Sequence, residues 1–537
     1  MTPTTLEAAG SSSDFETCIM LTGFGKYNYL ILIVSLMASL AQQLSISAIS
    51  YILPSAECEL QLSPEDKGTL NATGYIGMIL SAYVWGFLSD TVGRRRLLVF
   101  GYLFDGVCNL TGSFAQSYWF LFAFKLLNGV IYPQDDVVIA TRFESRRVTS
   151  TLDWSLSFLF LDLITPHSSR TIADIVTGSI SKPSSYRIAW LILPSEWSIT
   201  VFDRKIPISS WRLFMALSSL PSFTTACLIY KCMESPRFLM ASGQNDEALK
   251  TFKIIYSHNT GNNPDMYAVI SISNQIHPSQ PPASNINLKK SLLSIMKICW
   301  QQAKPLFIPP HSKNTAVTFM MQFTTLYGFN TLRLWLPQML TSVQEHLSQQ
   351  EMTHSSPVIK SICEILQITM STNVTEDISE PEVHCVFKTA DSTVYVNSMM
   401  VGIAQGTAFL FAACSISIVG KKTIMVTGYA VGGCSALALL WSHNSDMTII
   451  FSAIYIALLA VSHTVSMAVV IDGFPTSLRN TAVSLSLMFG QLGTVIGNTA
   501  FPVLLRMTCS TPFIIISFMT MVNAGMTMFL PETVSAS

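Results

Sequence analysis

Six ionisable side chains interrupt the apolar runs; Asp135 and Asp136 share the weak fourth run with Lys125, and the other four are the candidates. Asp105 interrupts Leu97–Phe114, Lys125 interrupts Tyr118–Ala140, Arg333 interrupts Asn314–Leu340, and His463 lies within Met447–Ile471. A charge at the centre of a membrane-spanning helix costs roughly 2.5–3.5 kcal/mol, so each is a candidate to carry a proton, an ion or a charged group of a solute. Each also has a plainer reading. Asp105 either takes a proton or cation, or pairs with a polar neighbour. Lys125 holds either an anionic group or a structural carboxylate, and the second is favoured. Arg333, near the external end of its run, can snorkel. His463 can titrate near neutrality, although a lone histidine is more often a hydrogen-bonded packing residue. The amides Gln42, Gln43, Gln322 and Gln405 line a cavity or act as interhelical glue. Tyr327, Phe329 and Trp335 stack on a cationic solute or simply pack. No catalytic constellation, phosphate-cradling loop or metal-ligand spacing accompanies them. The expectation is therefore no enzyme, no cofactor and no metal.

The elements that hold these residues follow from composition. The chain has 537 residues, 50% hydrophobic and only 12% charged, where a soluble domain carries about 25% charge. A polytopic all-α membrane protein is expected. A span needs ~20 mainly apolar residues. Eleven runs serve: Tyr27–Leu53, Gly68–Leu88, Leu97–Phe114, Tyr118–Ala140, Leu213–Tyr230, Asn314–Leu340, Val396–Val419, Thr423–Trp441, Met447–Ile471, Thr481–Leu505 and Pro512–Leu530. Basic residues gather on the cytoplasmic side of membrane proteins. Placing Arg94–Arg96, Lys250/Lys253, Lys421/Lys422 and Arg479 there requires one further span within Thr151–Pro194, where no window is convincing. The net charge of −1 carries no polybasic signature for nucleic acid. The partners expected are the bilayer and a small solute, with the chain a monomer.

The termini and loops add detail. Residues 1–14 lack a basic n-region, so the first helix acts as its own insertion signal. Asn245–Tyr256 has apolar residues at helical spacing and predicts a short amphipathic helix on the membrane surface. The acidic loop 341–393 is placed outside and holds the one well-positioned glycosylation sequon, at Asn373. The sequons at Asn71 and Asn109 sit in or against spans and are expected to be unused. A Cys363–Cys385 disulfide is one option in that loop; the other cysteines placed in apolar runs behave as small hydrophobes.

One stretch organises the rest. Gly86, Leu88, Asp90, Gly93, Arg94 and Arg95 stand after the second run in the spacing G-x-L-x-D-x-x-G-R-R. Glycines permit a tight turn, Asp90 suits a helix N-terminus, and the arginines suit anionic headgroups. The spacing resembles the signature loop of the major facilitator superfamily. Glu234-Ser-Pro-Arg-Phe-Leu239, Phe474-Pro-Thr-Ser-Leu-Arg479 and Leu530-Pro-Glu-Thr533 resemble motifs of its sugar-transporter-like and organic-cation-like members. The opening Phe15–Tyr29, Ala189–Pro194 and Leu334-Trp-Leu-Pro-Gln338 resemble the synaptic vesicle glycoprotein 2 family and its insect relatives.

That resemblance implies about twelve helices in two six-helix bundles with alternating access between them. The implied division is a cytoplasmic N-terminus (1–26), a first bundle (27–233, anomalous over 131–185), a cytoplasmic central loop (234–313), a second bundle (314–531) and a cytoplasmic tail (532–537). It implies a secondary transporter for a small organic or ionic solute, in the plasma membrane or a synaptic-type vesicle. The alternative is a scaffold or trafficking protein that keeps the fold without transporting. Two departures stand out. Between Val130 and Tyr186 the expected pattern is lost, through a misread transcript or a divergent segment. In the second-half counterpart of the signature loop, Gly420-Lys421-Lys422 remains but Ser417 replaces the expected acid.

Overall fold

The computed structural model describes residues 15–23, 25–57, 59–91, 93–131, 188–193, 199–201, 206–272, 300–301, 303–353, 363–366 and 392–529. A short helix, α1 (Phe15–Leu21), precedes the long helices α2 (Lys26–Ala56), α3 (Pro64–Thr91), α4 (Arg94–Gly112) and α5 (Tyr118–Ile131). A small antiparallel hairpin, β1 (Ile199–Val201) with β2 (Ile206–Ile208), leads into α6 (Ser210–Lys231). Then come α7 (Pro236–Ala241) and α8 (Asn245–Thr260). The second half comprises α9 (Ser312–Thr353), α10 (Ser392–Val419), α11 (Lys421–Ala438), α12 (Ser445–Gly473), α13 (Thr476–Met507) and α14 (Thr511–Met528). Among the described residues, seven helices are long and apolar enough to cross a membrane: α2, α6 and α10–α14. Helices α3 and α4 carry charges at their ends, and α5 is only 14 residues long.

One expectation meets the structure differently, and two fall partly outside the described residues. The run Asn314–Leu340 continues as helix through Thr353, so the first part of the segment read as loop 341–393 is helical. The fourth run is helical over Tyr118–Ile131, and its remainder lies outside the described residues. So does most of the segment assigned the missing span; only 188–192 is described there as helix.

Because lipid removes much of the hydrophobic drive between helices, close backbone approach matters more. At α3 against α5, a Cβ on Gly129 would fall 2.0 Å from the Gly74 carbonyl oxygen. At α13 against α9, a Cβ on Gly493 would lie 2.2 Å from the Phe323 carbonyl oxygen. Any larger side chain there pushes two helices apart. The halves meet through α3, α2, α9 and α13, where Tyr75, Met78 and Leu334 form a buried cluster flanked by Ile46 and Val495.

The arginine-bearing end of α4 supports a small lobe. Ala248 and Phe252 of α8 are buried in one cluster with Cys18 of α1, Leu239 and Met240 of α7, and Tyr267; Ile255 of α8 is buried as well. The apolar face predicted to lie on the membrane is therefore covered by protein. Its occupant is the N-terminal segment, which the periodicity of α8 alone could not reveal. Burial pushes the Tyr267 phenol up, so it stays neutral and donates to the Cys18 carbonyl. Asn259, in the last turn of α8, accepts from the Tyr27 backbone N–H at 3.1 Å and donates to the Gly23 carbonyl at 2.9 Å. A Cβ on Gly25 would come 2.4 Å from the Asn259 carbonyl oxygen, so glycine is required there.

Candidate functional site: a buried charge pair and the seam between two halves

The sequence singled out Asp105 and Lys125 separately; the fold places them in one cluster. Asp105 faces inward from α4 because its neighbours at helical spacing, Tyr102, Cys108 and Asn109, are also buried. Lys125 and Asn128 occupy the buried face of α5 with Leu121 and Gly129. Ser45 comes from α2 and Ser222 from α6. The Asp105 carboxylate accepts from the Ser45 hydroxyl at 2.8 Å, the Asn128 amide at 2.5 Å, the Ser222 hydroxyl at 2.5 Å and the Asn109 amide at 3.3 Å. Lys125 Nζ donates to Asn109 Oδ1 at 3.0 Å and to the Ser45 carbonyl at 3.3 Å. Asp105 is 3% and Lys125 5% exposed. Asn109 thus bridges the carboxylate and the ammonium, and the cluster ties four helices together with no net charge. Asn71, likewise buried, accepts from Ser50.

In the second half the buried polar network is neutral. Gln322 donates to Ser466 at 2.8 Å and to Met467 Sδ at 3.0 Å, while its Oε1 has no hydrogen-bond partner among the described residues. One turn along α9, Thr325 shares a hydrogen bond with Tyr429, and Asn523 donates to Thr325 and accepts from Thr324. Gln405 is 1% exposed and its Nε2 also lacks a partner among the described residues. His463 lies on α12, half-buried, one turn before Ser466, whose hydroxyl donates to the His463 carbonyl. Gln42 is half-buried on α2.

Arg333 does something the sequence did not suggest. Its guanidinium donates to the Tyr75 hydroxyl at 3.2 Å and lies 5.5 Å from the centre of the Phe329 ring. Tyr75 belongs to α3 and Arg333 to α9, so this contact crosses the seam. Farther along, Glu65 on the first turn of α3 forms an ion pair with Arg506 near the end of α13. Glycine at position 68 lets the two helices close: its Cβ would lie 2.6 Å from the Asn498 carbonyl oxygen. The seam is closed toward the end opposite Arg94–Arg96.

At the arginine end the signature residues take defined places. Asp90 lies in the last turn of α3, with its side chain outside the described residues, and Gly86 and Leu88 lie in the same helix. Gly93 adopts φ 99°, a conformation that favours glycine. The N-terminus of α4 is capped not by an Asx residue of its own but by Glu234, which accepts from the Arg95 backbone N–H at 3.0 Å. A carboxylate at that point meets both an orphan N–H and the positive end of the helix dipole. The Arg95 side chain donates to the Tyr230 carbonyl and lies over the Tyr230 ring at 5.3 Å. At the other end of the first half, Glu59 accepts from Trp211 Nε1 at 2.6 Å and from Arg212 Nε at 3.2 Å. Arg212 itself is 4% exposed and reaches the Ser113 carbonyl at 3.2 Å. Sequence reading passed over Glu59 and Arg212 because each stands outside the apolar runs.

One cysteine expectation is corrected. Cys363 pairs with Cys509, with a Cα–Cα distance of 5.3 Å, rather than with Cys385. Cys509 lies between the runs Thr481–Leu505 and Pro512–Leu530, in the turn between α13 and α14, which folding brings beside residues 363–366. Asn373 and Cys385 lie outside the described residues.

A helical molecule whose two halves meet along one seam invites comparison with known transporters. It overlays the inward-open xylose transporter XylE from E. coli with a TM-score of 0.62, covering 95% of this chain and 98% of that one at 14% identity. The nucleoside transporter NupG matches with a TM-score of 0.53 over 93% of this chain at 12% identity. The chain has the major facilitator fold. The Major Facilitator Superfamily model matches residues 30–134, from α2 to just beyond α5. Synaptic vesicle glycoprotein 2B of Rattus norvegicus is 25% identical over 350 residues, 63% of this chain and 49% of that protein. Synaptic vesicle glycoprotein 2A of the same species is 24% identical over 347 residues, 62% of this chain and 44% of that one. The chain therefore spans about half the length of these curated relatives. An integral, multi-pass membrane protein of this fold resembling the synaptic vesicle glycoprotein 2 proteins accounts for the composition and the helices.

Proposed function

We propose that the protein is a secondary transporter that moves a small polar solute through the seam between its two halves. The observation that carries this reading is the contrast between the Asp105–Lys125 cluster and two buried amides of the second half. The Asp105–Lys125 cluster is satisfied within the first half, with each carboxylate oxygen accepting from two donors. It stiffens a bundle and offers little to a solute. Gln322 and Gln405 in the second half each have a buried amide atom with no partner among the described residues. Such groups cost free energy unless a partner arrives, so a solute bearing hydrogen-bonding groups is the partner we assign. The arginine end lies in the cytoplasm in this reading, following the charge rule. The contacts Glu65–Arg506 and Arg333–Tyr75 then close the outward side and leave the cytoplasmic side as the way in. Opening would break these contacts while each half moves as a body, held by its own network.

The experiment is uptake into proteoliposomes of a panel of labelled neutral polyols, amino acids and organic ions. Gln322→Leu and Gln405→Leu should lower saturable uptake of one solute at least tenfold while the protein remains folded. Normal uptake in both variants would remove these amides from the path. No saturable uptake of any solute by the wild-type protein would favour a scaffold that keeps the fold.

A further inference from the structure

The end opposite Arg94–Arg96 carries a covalent tie beside an ionic one. Residues 363–366 form a helical turn docked on the second half. Cys363 is 8% and Leu366 1% exposed, in the same buried cluster as Trp335, Leu505 and Phe513. The partner cysteine, Cys509, follows the last turn of α13 by two residues. That turn carries Arg506, whose guanidinium holds Glu65 of the other half. The loop, the end of α13 and the contact across the seam are thus mechanically one piece.

We propose that Cys363 and Cys509 are oxidised in a secretory lumen or outside the cell, and that this bond sets how firmly the seam is closed at that end. In forming it, the two thiols lose two protons and two electrons and their sulfurs join. A disulfide-carrying oxidoreductase of the lumen accepts both electrons and becomes a dithiol. Such bonds persist in oxidising compartments and are rare in the cytosol. The cysteines therefore orient the chain independently of charge, and the arginines at the other end agree with them. The bond removes freedom from the last turn of α13 and keeps Arg506 in register with Glu65. Reduction loosens that turn and frees the outward end to open. The inference does not depend on which solute is carried, and its failure leaves the transport reading standing.

The test uses full-length protein from native-like membranes, alkylated before lysis and mapped without reductant. A peptide containing Cys363 joined to one containing Cys509 is expected. Amide exchange over 59–75 and 498–511 should then rise when the folded protein is reduced. Cys363→Ser and Cys509→Ser should show the raised exchange without reductant and no further rise with it. Glu65→Gln should raise exchange roughly 1.4–5-fold, as expected for an exposed ion pair, and remain sensitive to reduction. Free thiols at both positions, a Cys363–Cys385 bond, or exchange over these segments that ignores reduction would each overturn the proposal. If a serine variant misfolds, reduction of the folded wild-type protein still decides the point.

Discussion

Lys125→Met should destabilise the first half, and Asp105→Asn in the same chain should restore much of the loss. The single change removes the ammonium that sits one amide away from a carboxylate 3% exposed to solvent. Asp105 would keep its hydroxyl and amide donors but lose its counter-charge. Breaking a buried charge pair by removing one partner costs about 3–5 kcal/mol, whereas replacing both with groups of similar shape is often neutral. At roughly 2–4 °C per kcal/mol for a unit of this size, the single variant should melt on the order of 10 °C below wild type. The double variant should recover more than half of that difference. The assay is thermal unfolding of detergent-solubilised protein, followed by loss of the monodisperse peak. A single variant that melts with wild type, or a double variant no better than the single, would refute the view that this cluster is a self-compensated pair.

Other outcomes follow from named contacts. Gly129→Val places a branched side chain where even a Cβ meets the Gly74 carbonyl oxygen at 2.0 Å, so the variant should lose its monodisperse folded form on size-exclusion chromatography. Glu234→Ala removes the acceptor for the Arg95 N–H and should cost ~1 kcal/mol by analogy with lost helix caps; Glu234→Gln should recover the hydrogen bond but not the dipole contribution of ~0.3–1 kcal/mol. Asn259→Ala undoes the clasp on the N-terminal segment and should raise protease sensitivity near Gly25 without altering the Asp105–Lys125 cluster.

How much of this was legible beforehand depends on the range of each interaction. The long apolar runs and the spacing Gly86 to Arg95 are local, and they pointed to a major facilitator fold. Asp105 and Lys125 were visible as costly residues, but their meeting depends on α4 and α5 turning the same faces inward. Ser45, Asn128 and Ser222 have side chains common in any helix, so nothing local marked them as donors to Asp105. Glu234 stood in a recognised motif, yet its role as the cap of α4 joins residues 139 apart in sequence. Arg333 looked like a snorkelling residue because its partner, Tyr75, lies on another helix of the other half. Cys509, between two apolar runs, carries no local sign of its partner, because the segment that reaches it lies 146 residues away.

The central claim is that two halves open and close around a seam, and cross-linking tests it most directly. Met78→Cys and Leu334→Cys place thiols on the two halves within one buried cluster. Joining them with a bismaleimide in proteoliposomes should fix the seam closed on that side. The account predicts saturable solute uptake by the uncross-linked double variant, abolished by the reagent, while wild-type protein given the same reagent keeps its uptake. Uptake that continues after complete cross-linking would contradict it.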